Sequence, residues 1–255
     1  MALTLPHVLV VAGSDSSGGA GIARDIETIA AFGLRACLAV TAVTVQTHAA
    51  VTKVEPCDAG LIEAQMRAAL EANRIGAIKI GMLGAAGAVA AVARVLSDHA
   101  DLPVVLDPVI AASSGKALLA DAAIAGLRWD LMPRCALVTP NLPELALLTG
   151  CAPARDEAEI GAQAHGLMES GPPALLVKGG HGQGAHAVDF LFRQGLPPVR
   201  FEGPRLPGTM RGTGCLLASA IAAGLARGND LEAGIAAAKT CLAARWEGSK
   251  ESPTP

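Results

Sequence analysis

Short apolar runs rich in Val, Ile and Leu recur along this chain. They alternate with longer stretches whose apolar positions return every three or four residues. The runs read as strands over residues 7–12, 37–45, 77–82, 104–109, 136–139 and 174–178. Helical spacing covers residues 20–32, with Ile22, Ile26, Ile29 and Ala30 on one face, and 59–73, with Leu61, Ala64, Ala68 and Leu70 near one side. It returns over 85–99, 119–131, 142–148, 157–169, 215–227 and 231–247, with Pro143 in a first helical turn. Residues 187–192 and 199–202 read as a hairpin; Gly171-Pro172-Pro173 and Leu196-Pro197-Pro198 read as turns. Alternation of apolar strands with helices predicts an α/β fold, a mostly parallel sheet covered on both faces, with the hairpin as an antiparallel edge.

Length and composition narrow this further. The 255 residues fit one α/β domain, expected over residues 1–248, with a frayed tail at 249–255. A formal charge of −3 with no basic stripe argues against a nucleic-acid partner. Two Trp, four Phe and no Tyr leave little for stacking bases. Six cysteines lack Cys-x-x-Cys spacing, which suits free thiols in a reducing cytoplasm. The apolar residues form no run of spanning length, so no membrane association is expected.

Candidate chemistry gathers at the strand ends, where open α/β sheets bind ligands. Arg211-Gly212-Thr213-Gly214-Cys215 precedes a small-residue helix. Amides in such a turn, with the partial positive charge of a helix start, make a seat for an anion such as a phosphoryl group. A cysteine at a helix mouth is expected to be more acidic. The loop Gly13-Ser14-Asp15-Ser16-Ser17-Gly18-Gly19-Ala20-Gly21 is neither a Walker A motif nor Gly-x-Gly-x-x-Gly; its four glycines suit either close ligand approach or a tight turn. Asp25 could accept hydrogen bonds from a ligand or simply complement a helix start. Asp107 ends a strand, and Asn141 and Glu144 follow another; the set could organise hydrated Mg²⁺ beside phosphates, or Asn141 could cap a helix. Lys178 could neutralise phosphate charge or be a solvated strand end. Gly182-Gln183-Gly184-Ala185-His186-Ala187 resembles a dinucleotide fingerprint, but a strand follows where that motif needs a helix. The histidines show no zinc-ligand spacing, and no Gly-x-Ser-x-Gly elbow occurs.

These motifs, in this order, resemble the hydroxymethylpyrimidine/phosphomethylpyrimidine kinases of thiamine biosynthesis, within the ribokinase-like superfamily. The likeness runs from about residue 8 to 245. It rests on Ala12-Gly13-Ser14-Asp15, Ser17-Gly18-Gly19-Ala20-Gly21-Ile22, Asp25, Thr44-Val45-Gln46-Thr47, Lys79-Ile80-Gly81-Met82, Leu106-Asp107-Pro108-Val109, Pro140-Asn141-Leu142-Pro143-Glu144, Lys178-Gly179-Gly180 and Gly212-Thr213-Gly214-Cys215. The resemblance implies a three-layer α/β/α kinase using ATP and Mg²⁺ on the hydroxymethylpyrimidine and its monophosphate. Gly13, Asp25, Gln46, Met82 and Val109 would line the pyrimidine pocket. Asp107, Asn141, Glu144 and Lys178 would serve ATP and Mg²⁺, the metal through Asp107 and Glu144. Gly212, Thr213, Gly214 and Cys215 would form the catalytic anion hole, with Cys215 taking or orienting the substrate proton. A cytoplasmic homodimer is expected. Alternatives are a pyridoxal kinase, a sugar or nucleoside kinase, disfavoured by Cys215, and a non-catalytic pyrimidine-phosphate sensor. The chain departs from the family pattern at Thr209-Met210-Arg211, where the family reads Asn-Thr-His, at Leu216, and at Gln46-Thr47-His48. Arg211 suits phosphate as a bidentate donor.

Overall fold

Val8 and Val10 of β1 (His7–Ala12) face one side of the sheet, and Leu9 and Val11 face the other. All four are wholly buried. Each such side chain removed from water contributes about 1.5–3 kcal/mol, so β1 favours a central place with cover on both faces. The computed structural model describes residues 5–111, 118–181, 186–205, 208 and 210–248. After β1 come α1 (Gly21–Ala31), β2 (Arg35–Val40), β3 (Ala42–Gln46), β4 (Val51–Pro56) and α2 (Ala59–Ala72). Then follow β5 (Ile75–Ile80), α3 (Ala86–Ser97), β6 (Val104–Leu106), α4 (Asp121–Gly126), β7 (Leu137–Val138), α5 (Leu142–Thr149) and α6 (Glu157–Met168). The chain continues through β8 (Ala174–Val177), β9 (His186–Arg193), β10 (Leu196–Pro204), α7 (Thr213–Ala226) and α8 (Leu231–Gly248).

Eight strands form one sheet in the order β10-β9-β8-β7-β6-β5-β1-β2. Strands β2, β1, β5, β6, β7 and β8 are parallel; β9 and β10 complete an antiparallel edge. One face packs against α2, α3, α5 and α6, around Ile62, Met66, Val92, Leu145 and Leu167. The other packs against α1, α7 and α8, around Ile29, Leu217, Ile221 and Ile235. This is the expected three-layer α/β/α arrangement.

Four expectations change. The run 37–45 is two strands in two sheets. Thr41 divides it, its N–H donating to the Ala12 carbonyl at 3.1 Å and its hydroxyl to the Met82 carbonyl. Strand β3 then pairs antiparallel with β4, which alternation had not revealed because that strand is mostly exposed and its valines, Val51 and Val54, stand three apart. Second, the helix faces are rotated. Ile26 and Leu61 are exposed, while Asp25, Thr28 and Ile29 of α1 and Ile62, Met66 and Ala69 of α2 are buried. In α2 the Asp58 side chain accepts from the Gly60 and Leu61 amides and fixes the phase. Third, Pro197 and Pro198 lie inside β10, an edge strand that tolerates their missing donors through a register shift. Fourth, residues 119–131 hold a shorter α helix, α4, followed by a π turn over Leu127–Leu131 and a 3₁₀ turn at Met132–Arg134. The tail 249–255, residues 182–185 and Thr209 lie outside the described residues. Strand β9 already runs from His186, where a dinucleotide fingerprint would need a helix.

Candidate active site

Strand β1 lies between β2 and β5, so the chain order reverses there, and open α/β sheets bind ligands beyond the strands' carboxyl ends at such a reversal. Two glycines shape it. Gly21 has φ of +59°, and a Cβ there would lie 2.5 Å from the Gly13 carbonyl oxygen. Gly212, the N-cap of α7, has φ of +70°, and a Cβ would lie 2.5 Å from the Gly19 carbonyl oxygen. A side chain at either position would be strained and would clash with backbone. The first contact folds the β1–α1 loop on itself, and the second packs it backbone to backbone against the start of α7.

Within α7 the Leu216 N–H donates to the Gly212 carbonyl at 2.9 Å. The amides of Thr213, Gly214 and Cys215 therefore stand at the helix start with no carbonyl one turn behind them. Gly214 faces Asp107: a Cβ would sit 3.0 Å from Asp107 Oδ2 and 3.3 Å from Lys178 Nζ. This places the predicted anion seat directly against the predicted ATP residues.

Strand alternation brings those residues to one side. Val105 and Leu176 face the α7 layer, and Asp107 and Lys178 follow them two residues on. Lys178 Nζ donates to Asp107 Oδ1 at 2.7 Å and lies 3.9 Å from Glu144 Oε2. Thr139 Oγ1 donates to Asp107 Oδ1 at 3.3 Å. Asn141 is the N-cap of α5 in a capping box: its side chain accepts the Glu144 N–H, and Glu144 accepts the Asn141 N–H, both at 2.8 Å. The capping alternative for Asn141 is thus realised, and it fixes Glu144 beside Lys178. Burial pushes Glu144 up to about 7, against the pull of Lys178. Burial works against the Lys178 ammonium, but Asp107 and Glu144 outweigh it and hold its pKa above the ordinary value.

Cys215 is half-buried, and burial pushes its thiol up to about 11, with Lys79 pulling the other way. This runs against the expectation of an acidified cysteine: burial raises the thiol further than Lys79 lowers it.

Asp25 also lies differently from expectation. It is wholly buried, with Lys79 Nζ 2.8 Å from each of its oxygens and Ser219 Oγ donating to Oδ1 at 2.8 Å. Lys79 sits between Ile78 and Ile80, so alternation turns it under α1 and α7, where Asp25 and Ser219 wait. Burial disfavours the Lys79 ammonium, but Asp25, Cys215 and Asp107 more than offset it and raise its pKa. The carboxylate is engaged below the pocket, not presented to it. Sequence reasoning had not given Lys79 a role, although a lysine inside an apolar strand was the available signal, since buried lysines need partners.

Of the other residues expected around the ring, Gly13 and Met82 meet. Gly13 is buried at the end of β1, with the Met82 side chain against its α-carbon. Val109 follows Asp107, donating its N–H to that residue's carbonyl at 2.8 Å. Gln46 ends β3, its N–H donating to Ser16 Oγ at 2.8 Å. Arg211 departs from expectation: its guanidinium meets protein, with Nη2 on Asp15 Oδ2 at 3.0 Å and Nη1 on Ser17 Oγ at 2.8 Å.

Fold and site together define a ribokinase-like small-molecule kinase. The family model for phosphomethylpyrimidine kinase matches residues 15–251, and the chain belongs to that family. It is 46% identical over 235 residues to the hydroxymethylpyrimidine/phosphomethylpyrimidine kinase of Rhizobium meliloti (strain 1021), covering 92% of this chain and 88% of the relative. The crystal structure of phosphomethylpyrimidine kinase from Clostridium difficile 630 superposes with a TM-score of 0.81 at 31% identity, covering 94% of this chain and 99% of that one. The ADP complex of Bacillus subtilis pyridoxal kinase superposes with a TM-score of 0.85 at 28% identity, covering 93% and 90%. Among the described residues no helix is long and apolar enough to cross a membrane.

Proposed function

We propose that this protein transfers the γ-phosphoryl group of ATP to the hydroxymethyl oxygen of 4-amino-5-hydroxymethyl-2-methylpyrimidine, and then to the phosphate of the resulting monophosphate. One observation carries the reading. The amides opening α7 lie against Asp107 and Lys178, so an anion seat, a cation and a carboxylate meet beside Cys215. Phosphoryl transfer needs alignment and charge neutralisation more than covalent help. The amides of Gly212, Thr213, Gly214 and Cys215 receive the migrating charge, and Lys178 balances the ATP phosphates. The Cys215 thiol orients the attacking hydroxyl; with its pKa near 11 it is a hydrogen-bonding group more than a base. Gly13, Met82, Val109 and Gln46 enclose the ring. Asp25 acts from beneath, through Lys79.

The donor set fits Mg²⁺. Asp107 and Glu144 offer hard oxygens, at 2.7 and 3.9 Å from the Lys178 ammonium. That suits an ion held by one or two carboxylates together with phosphates, where it would offset phosphate charge. Val43 and Val45, 54% and 56% exposed on the outer face of β3, support a homodimer through the small sheet. A cytoplasmic location follows from this metabolic role.

The likeness to pyridoxal kinase favours a second reading, activity on pyridoxal. Incubating the protein with ATP, Mg²⁺ and either the hydroxymethylpyrimidine or pyridoxal, and resolving products by mass, separates the two. The pyrimidine should give mono- and diphosphate with matching ADP. Phosphorylation of pyridoxal alone would replace the assignment, and ligand binding without ADP would indicate a sensor.

A further inference from the structure

Arg211 joins three segments that converge on the pocket. Nη2 donates to Asp15 Oδ2 at 3.0 Å, and Nη1 donates to Ser17 Oγ at 2.8 Å and to the Thr47 carbonyl at 3.2 Å, with His48 Nδ1 at 3.4 Å. Asp15 and Ser17 belong to the β1–α1 loop, Thr47 and His48 to the turn between β3 and β4, and Arg211 itself immediately precedes the α7 N-cap. The loop is set for this contact. Asp15 Oδ1 accepts both the N–H and the hydroxyl of Ser17, at 2.9 and 2.7 Å. Burial raises the Asp15 carboxyl, but Ser17 and Arg211 outweigh it, so its pKa lies below the ordinary value and it stays ionised. Gly19 leaves room for the guanidinium, since a Cβ there would lie 3.1 Å from Nη1.

The β3–β4 hairpin forms its own two-stranded sheet beside the eight-stranded one. Its inner edge is stitched to the same loop. Thr44 N–H donates to Ser14 Oγ at 3.1 Å, Thr44 Oγ1 donates to the Ser14 carbonyl at 2.8 Å, and Ser16 Oγ donates to the Gln46 carbonyl at 2.7 Å. These bonds tie hairpin to loop, and Arg211 ties both to α7. Charge-assisted, multidentate arginine contacts are the strong members of such a set.

We propose that Arg211 is a positioning residue: it clamps the β3–β4 hairpin and the β1–α1 loop onto the start of α7, and thereby holds Gln46 over the pocket. The proposal rests on the pyrimidine-kinase reading for its substrate but not for its mechanics. It also explains how this chain uses an arginine at a position where a phosphate contact was expected: the guanidinium's bonds go to the enzyme.

The test combines hydrogen exchange with steady-state kinetics on the full chain, comparing Arg211→Met, Arg211→Lys and Asp15→Asn with the unaltered protein. In Arg211→Met, amide exchange over residues 42–56 should accelerate and KM for the pyrimidine should rise, each by about tenfold, the scale of one lost charge-assisted bond. Exchange over Ala174–Val177 should not change, and kcat and KM for ATP should stay within about twofold, the pattern of lost ground-state positioning. Arg211→Lys should recover part of the effect, because one ammonium can meet Asp15 but not Ser17 and Thr47 together. Asp15→Asn should move both readouts in the same direction and stands in if Arg211→Met does not fold. Unaltered hairpin exchange, or a loss confined to kcat and to KM for ATP, overturns the clamp and returns Arg211 to phosphate binding. If no variant and no unaltered protein phosphorylates the pyrimidine, the functional reading fails, and the exchange measurement alone decides the clamp.

Discussion

Lys79 and Asp25 show most plainly what single side chains do here. Both are wholly buried, and their ion pair with Ser219 underlies Cys215 and the start of α7. Taking charges out of water is costly, and breaking such a pair is costlier still because one charge is left alone. Lys79→Met should therefore destabilise the fold by about 3–5 kcal/mol in urea titration. Adding Asp25→Asn should recover most of the loss, since the amide can still meet Ser219. Additive losses in the double variant would show that the two side chains act independently. The motif residues themselves were legible in the sequence, but their orientation was not. Asp25 was visible as a carboxylate on a helix; that it turns inward depends on a partner contributed by a strand 54 positions later. Cys215 was visible at a helix mouth, while the burial that raises its pKa to about 11 comes from how α1, β5 and α7 pack.

At the scale of elements, strands and long helices followed from periodicity because both faces of the sheet are covered by apolar layers. The failures have physical causes. Strand β4 is mostly exposed and its two valines stand three apart, so it carries little alternation, and Thr41 ends β2 through hydrogen bonds that only tertiary structure supplies. The start of α7 is the element on which the site depends. Gly212→Ala there forces a left-handed conformation worth about 1–2 kcal/mol of strain, and its Cβ would lie 2.5 Å from the Gly19 carbonyl oxygen. Turnover should fall by about a hundredfold or more as the amides are displaced, in line with the loss of an oxyanion donor. Gly150→Ala is the control: φ is +72°, nothing lies within 4 Å of its Cβ, and Gly150 ends α5 away from α7. It should lower thermal stability and leave turnover unchanged. Equal losses of turnover in the two variants would mean that strain alone, and not the seat, governs activity.

For the whole molecule, the order of strands was the decisive unknown. Sequence gave strand ends bearing Gly13, Met82, Asp107, Asn141 and Lys178. In the fold Gly13 meets Met82, Asp107 meets Lys178 and the start of α7, and the backbone contact of Gly212 with Gly19 sets α7 against the β1–α1 loop. The family match runs over residues 15–251. The central claim is that the amides of Thr213, Gly214 and Cys215 hold the transferring phosphoryl group beside the Cys215 thiol. A crystal structure with a non-hydrolysable ATP analogue and the hydroxymethylpyrimidine tests it directly. The account predicts γ-phosphate oxygens about 3 Å from those amides, with the hydroxymethyl oxygen in hydrogen-bond reach of Cys215 Sγ. A γ-phosphate bound away from the α7 start, with the sulfur shielded from the heterocycle, would contradict it.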